Sequence, residues 1–71
     1  MQSYYMNTNT SANPNHDHEV HTASCRFCPS ALNRVYLGEF SNGIQAVQKA
    51  RSMGYSNVDG CYHCCPEAHH G

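Results

Sequence analysis

The chain has no tryptophan and only two phenylalanines in 71 residues. Apolar side chains large enough to fill a core are correspondingly few: Val20, Phe27, Leu32, Val35, Tyr36, Leu37, Phe40, Ile44, Val47, Met53, Tyr55 and Val58. Ordering a chain costs about 1.5 kcal/mol per residue, which so small an apolar set barely offsets. A domain of this length therefore needs a staple. Charge is also scarce. Arg26, Arg34, Lys49 and Arg51 are the only basic residues apart from histidine, set against five acidic ones. That excludes the clustered cationic footprint by which non-specific nucleic-acid binders neutralise phosphates. No apolar run approaches the ~20 residues that span a bilayer, so no membrane segment is expected.

Two kinds of staple are available, and the sequence favours one. Met1 to Asn7 has neither the basic nor the apolar region of a secretory leader, and the five cysteines are an odd number. Disulfides belong to oxidising compartments, so the expectation is a reduced, cytoplasmic chain closed by a metal. A structural zinc ion contributes an apparent ~10–16 kcal/mol in finger-like peptides, enough to fold a marginal chain.

The ligands for such an ion cluster in two places. One is Cys61-Tyr62-His63-Cys64-Cys65-Pro66, and the other is His21-Thr22-Ala23-Ser24-Cys25-Arg26-Phe27-Cys28. A Cys-x-x-Cys turn presents two sulfurs to one side, which is half of a tetrahedral zinc shell. Four ligand sets follow: His21, Cys25, Cys61 and Cys64; the same with Cys28 in place of His21; the same with Cys65 in place of Cys64; and a set that brings in His69. Spacing slightly prefers the paired Cys-x-x-Cys arrangement, because both halves then use one kind of turn. His16 and His18 alternate along an extended segment and read as a solvated approach to the first strand. Cys28 and Cys65, where not ligands, read as small buried apolar residues.

The elements between the clusters spell an α+β domain: short strands packed with one main helix. Residues 1–17, rich in Asn, Ser and Thr, read as a disordered tail. Residues 18–68 form the zinc-binding domain, and residues 69–71 a C-terminal tail. Asn33 to Phe40 reads as a strand whose phase slips at Gly38, which predicts a bulge or bend there. Ser41 is the expected N-cap of a helix over Asn42 to Met53, with Ile44, Val47, Ala50 and Arg51 on one side, Ala46 and Met53 widening the buried stripe, and Gly54 closing it in left-handed conformation. Tyr55 folds back beyond that cap. Asp59-Gly60 is a turn signal that delivers the chain to Cys61.

From Val20 to Pro66 the order of these features resembles the small metal-binding domain of the Ada methyl-repair protein. The resemblance is carried by His21-x-x-x-Cys25, Asn33-Arg34-Val35-Tyr36, Phe40-Ser41, Ala46, Ala50, Gly54-Tyr55, Cys61-x-x-Cys64 and Pro66. It implies His21, Cys25, Cys61 and Cys64 as the ligands. The family's methyl-accepting cysteine thiolate is His21 here, so the repair chemistry is not implied. The resemblance also implies a nucleic-acid partner, for which the four basic residues with Tyr36, Tyr55 and Tyr62 would have to serve.

Four protein ligands close a zinc shell, whereas a catalytic zinc keeps a position open for water. The expectation is therefore a structural site in a monomeric interaction module, not an enzyme, with zinc as cofactor and a protein or nucleic acid as partner. A thiol redox protein is the remaining alternative. It would use Cys28 and Cys65 as reactive neighbours of the metal-held thiols.

Overall fold

The strand on which the sheet is built lies at the start of the chain. In the computed structural model, which describes residues 1–8 and 17–69, β1 (Gln2–Asn7) sits between two neighbours. It pairs antiparallel with β2 (His18–Thr22) on one side and with β3 (Arg34–Phe40) on the other. β4 (Val58–Gly60) adds to β2 in parallel, which gives the sheet order β3-β1-β2-β4. One helix, α1 (Gly43–Ser52), packs on this sheet, and short 3-10 turns occupy Ala31–Asn33 and Pro66–Ala68. The architecture is α+β.

The central place of β1 corrects the expectation of a disordered tail over residues 1–17. Tyr4 and Met6 alternate along the strand, and both are buried in the core. Burying two large side chains at period two, with ladder hydrogen bonds on both edges, offsets the ordering cost that the polar surroundings suggested. The folded unit thus includes residues ahead of position 18. Residues 9–16, with His16 among them, lie outside the described residues.

The slip at Gly38 is present as a bulge. Tyr4 pairs with Gly38 and Tyr5 with Tyr36, so Leu37 is the extra residue on β3. Gly38 takes φ +125°, a conformation glycine adopts without steric cost. The bulge lets Leu37 reach the core, where it is buried.

The helix begins one residue later than the serine cap implies. Asn42, not Ser41, is the N-cap: its Oδ1 accepts from the Gln45 N–H at 3.1 Å. Gln45 answers through its Oε1, which accepts from the Ser41 N–H at 3.0 Å, so two free donors are satisfied reciprocally. At the far end Gly54, with φ +99°, closes the helix. The Gly54 and Tyr55 N–H groups donate to Arg51 O at 3.0 Å and Ala50 O at 3.3 Å, a Schellman pair.

Helix and sheet meet through small residues. Ala46, Val47 and Ala50 face Tyr4, Met6, Val20, Leu37, Val58, Cys65 and Ala68, with Val35, Phe40 and Tyr55 at the margin. Five expected core residues lie outside: Phe27, Leu32, Tyr36, Ile44 and Met53 are all exposed, Leu32 at 93 %. Phe27 and Leu32 belong to the loop carrying the first cysteines, in which no residue from 23 to 33 is buried among the described residues. Ile44 and Met53 sit off the narrow alanine stripe that α1 presents. Asp59-Gly60, expected as a turn, belongs to β4 instead, and both residues are buried. A side chain at Gly60 would collide with Ala68, since its Cβ would lie 2.7 Å from Ala68 Cβ. The glycine there serves close approach, not a turn.

Candidate metal centre

β2 divides its residues between two faces. Val20 enters the core beside the helix, and His21, the next residue, turns to the opposite side. Cys61 is brought beside it because β4 runs parallel to β2, with Val20 opposite Gly60. The Cys61 N–H donates to Val20 O at 2.9 Å and continues the ladder by one bond. The chain then winds into a single turn closed by the Cys65 N–H on Cys61 O at 2.8 Å, which carries Cys64 back towards β2. There the Thr22 N–H donates to Cys64 Sγ at 3.3 Å. Cys25 arrives from the other side, in a turn whose N–H donates to Thr22 O at 3.1 Å.

The outcome is a group of four donors. One ligand atom from each of His21, Cys25, Cys61 and Cys64 lies within 4.8 Å of the others. Sulfurs bound tetrahedrally to zinc at ~2.3 Å stand about 3.8 Å apart, so only a small contraction separates this group from a metal shell. The Cys₃His cluster can hold a metal ion.

Electrostatics around the cluster point the same way. His21 is 2 % exposed, and burial lowers its pKa from the ordinary imidazole value, which favours the neutral form that binds metals. Its Nδ1 is buried without a hydrogen-bond partner among the described residues. A buried polar atom left unpaired costs roughly 1–3 kcal/mol, so an ion there removes a penalty. Burial also pushes the Cys64 thiol far above its usual range, with the Cys25 and Cys65 thiols adding to the rise and the Thr22 N–H opposing it. Without a cation, this pocket resists the thiolate form.

The alternative ligands are placed elsewhere. Cys28 Sγ accepts from Arg34 Nη1 at 3.6 Å, and the same guanidinium reaches Pro29 O at 3.4 Å. Cys65 is fully buried in the core, and although its Sγ is 3.7 Å from Cys64 Sγ, it packs beneath Gly43 of the helix. Burial, with Glu67, Cys61 and Cys25 nearby, pushes its thiol up to about 11 against the opposing hydrogen bond from Cys64. His69 Nδ1 lies 3.1 Å from Gly60 O and 3.3 Å from Asp59 Oδ2. The chain leading to it is ordered: Pro66–Ala68 forms a 3-10 turn, and Ala68 is buried. His18 Nδ1 lies 3.0 Å from Asn7 O, and its ring meets Tyr55 edge-on.

Two contributors to the site were not expected from the sequence. Thr22 acts through its backbone N–H, for which no side-chain pattern can signal. Glu19 stands two residues before His21 on the same face of β2, and its Oε1 is 3.7 Å from His21 Nε2. That spacing of two is a signal the sequence does contain. Burial raises the Glu19 carboxyl pKa, Asp17 and Asp59 add to it, and His69 and His63 oppose it.

No family profile, characterised protein or solved structure matches the chain. No helix among the described residues is long and apolar enough to cross a membrane.

Proposed function

We propose that this chain is a zinc-binding interaction module of a reducing, cytoplasmic environment, in which the ion ties the two cysteine turns to the sheet. The observation that carries the reading is the convergence of His21, Cys25, Cys61 and Cys64 around a buried imidazole nitrogen that has no hydrogen-bond partner among the described residues. Three thiolates and one imidazole in a tetrahedral arrangement suit zinc better than oxygen-seeking calcium or magnesium. Four protein donors would close the shell and leave no position for water, so the role is structural, not catalytic.

The contact surface in this reading is the pair of cysteine turns themselves. Their outward residues are aromatic: Phe27 stacks on His63 with ring centres 4.4 Å apart, and Arg26 lies 4.9 Å from the Phe27 ring centre. Tyr62, 67 % exposed, meets both His63 and His69 edge-on. Such a set of rings, held at fixed angles, suits a protein partner, for which aromatics are the usual anchors. It also gives a second reading some ground, since exposed rings beside an arginine can stack nucleic-acid bases. That reading agrees with the Ada-like motif and predicts salt-sensitive binding of short single-stranded DNA; no binding even at low salt would remove it.

The main proposal is tested by purifying the chain under reducing conditions without chelator and measuring bound metal. One zinc per chain is expected, with loss of tertiary structure on EDTA treatment. A metal-free chain that keeps its fold would contradict it.

A further inference from the structure

The site proposed above leaves open which nitrogen of His21 meets the ion and what holds the ring. From the geometry we infer that His21 would bind through Nδ1 and that Glu19 is its positioning residue, accepting from the Nε2–H. The inference rests on the metal reading and goes one layer beyond its four ligands.

A neutral imidazole carries one proton, so the nitrogen that binds the metal dictates where that proton sits. His21 Nδ1 is enclosed and has no partner among the described residues. If the proton were on Nδ1, a buried donor would go unanswered while Nε2 turned a lone pair towards the Glu19 carboxylate, 3.7 Å away. Both consequences are unfavourable. With the proton on Nε2, the N–H faces a negative oxygen and the Nδ1 lone pair is free for the ion. The separation of 3.7 Å is ion-pair distance, and a shift of about 0.8–1 Å gives a charge-assisted hydrogen bond.

The strand makes this arrangement regular. Residues two apart on β2 share a face, so Glu19 and His21 are neighbours by virtue of the same pleat that aims His21 at the cysteines. The backbone of Glu19 is fixed in turn: its N–H donates to Asn7 Oδ1 at 2.7 Å, which ties this point of β2 to the end of β1. Outer carboxylates of this kind fix the tautomer of a histidine ligand and raise its basicity, and their removal typically lowers metal affinity 10–100-fold.

The experiment uses the full chain with its ring nitrogens labelled by ¹⁵N and loaded with ¹¹³Cd. Coupling of the cadmium to His21 Nδ1, together with a slowly exchanging Nε2–H proton, is expected. In Glu19→Ala that proton should exchange with water much faster and zinc affinity should fall at least about 10-fold, with Glu19→Gln intermediate because it keeps an acceptor. Coupling through Nε2 in the unmodified chain would overturn this inference while leaving the four-ligand site intact. A Glu19→Ala chain with unchanged affinity and unchanged Nε2–H exchange would do the same. Failure to take up cadmium or zinc at all would overturn the metal reading itself.

Discussion

The two cysteine turns are chemically alike and structurally opposite. The second, Cys61 to Cys64, grows out of β4 and is anchored at both ends, Cys61 and Cys65 being buried while Tyr62 and His63 between them are exposed. Glu67 Oε2 accepts from the Gly43 N–H at 2.7 Å at the start of α1, and Cys65 is buried directly beneath that glycine. The first turn, Cys25 to Cys28, has no such support: among the described residues none from 23 to 33 is buried. Its backbone is held by the Cys25 and Cys28 N–H groups donating to Thr22 O and Cys25 O. Packing builds one half of the centre in advance. The other half depends on what the sulfurs grip, so an ion would contribute most of its stabilising effect to the loop over residues 23–33.

The largest effect that sharpens this contrast comes from replacing ligands. Cys25→Ser should abolish stoichiometric zinc retention and leave the 23–33 loop unprotected in amide hydrogen exchange, since a structural zinc contributes an apparent ~10–16 kcal/mol. Cys28→Ser, which removes only the sulfur facing Arg34, should keep the zinc and most of the protection. Equal losses in the two variants would break the distinction between ligand and bystander.

A smaller effect addresses the packed half. A Cβ at Gly43 would lie 2.8 Å from Cys65 Cβ and 2.9 Å from Glu67 Oε2, closer than real side chains sit. Gly43→Ala should therefore cost about 1–3 kcal/mol in denaturant unfolding of the zinc-loaded chain, as overpacked cores do. The disturbance should appear in the amide signals of residues 60–68 and leave residues 23–33 unchanged. If both turns moved together, they would be one unit and the contrast would be mistaken.

The same division explains what could be read from the sequence. Metal-ligand spacing is local chemistry, and it picked out His21, Cys25, Cys61 and Cys64 as one of four sets; the fold gathers that set. Strand β3 with its slip at Gly38, the helix and its glycine stop are local signals too, and each is found. What escaped was tertiary. The run Ser3-Tyr4-Tyr5-Met6 is short and set among polar residues, and only its pairing with strands on both sides makes it the centre of the sheet. Phe27 and Leu32 look like core by type, yet the loop that bears them leaves both exposed. Asp59-Gly60 reads as a turn until the need for Gly60 to pass close to Ala68 is seen. That Cys28 and Cys65 fall outside the four-donor group follows only from their surroundings in the fold.

Zinc-edge X-ray absorption on the loaded chain tests the central claim most directly, because it counts the atoms bound to the ion. The account predicts three sulfurs at ~2.3 Å and one nitrogen at ~2.0–2.1 Å. Four sulfurs would bring Cys28 or Cys65 into the shell and contradict it, as would an oxygen from water in place of the imidazole.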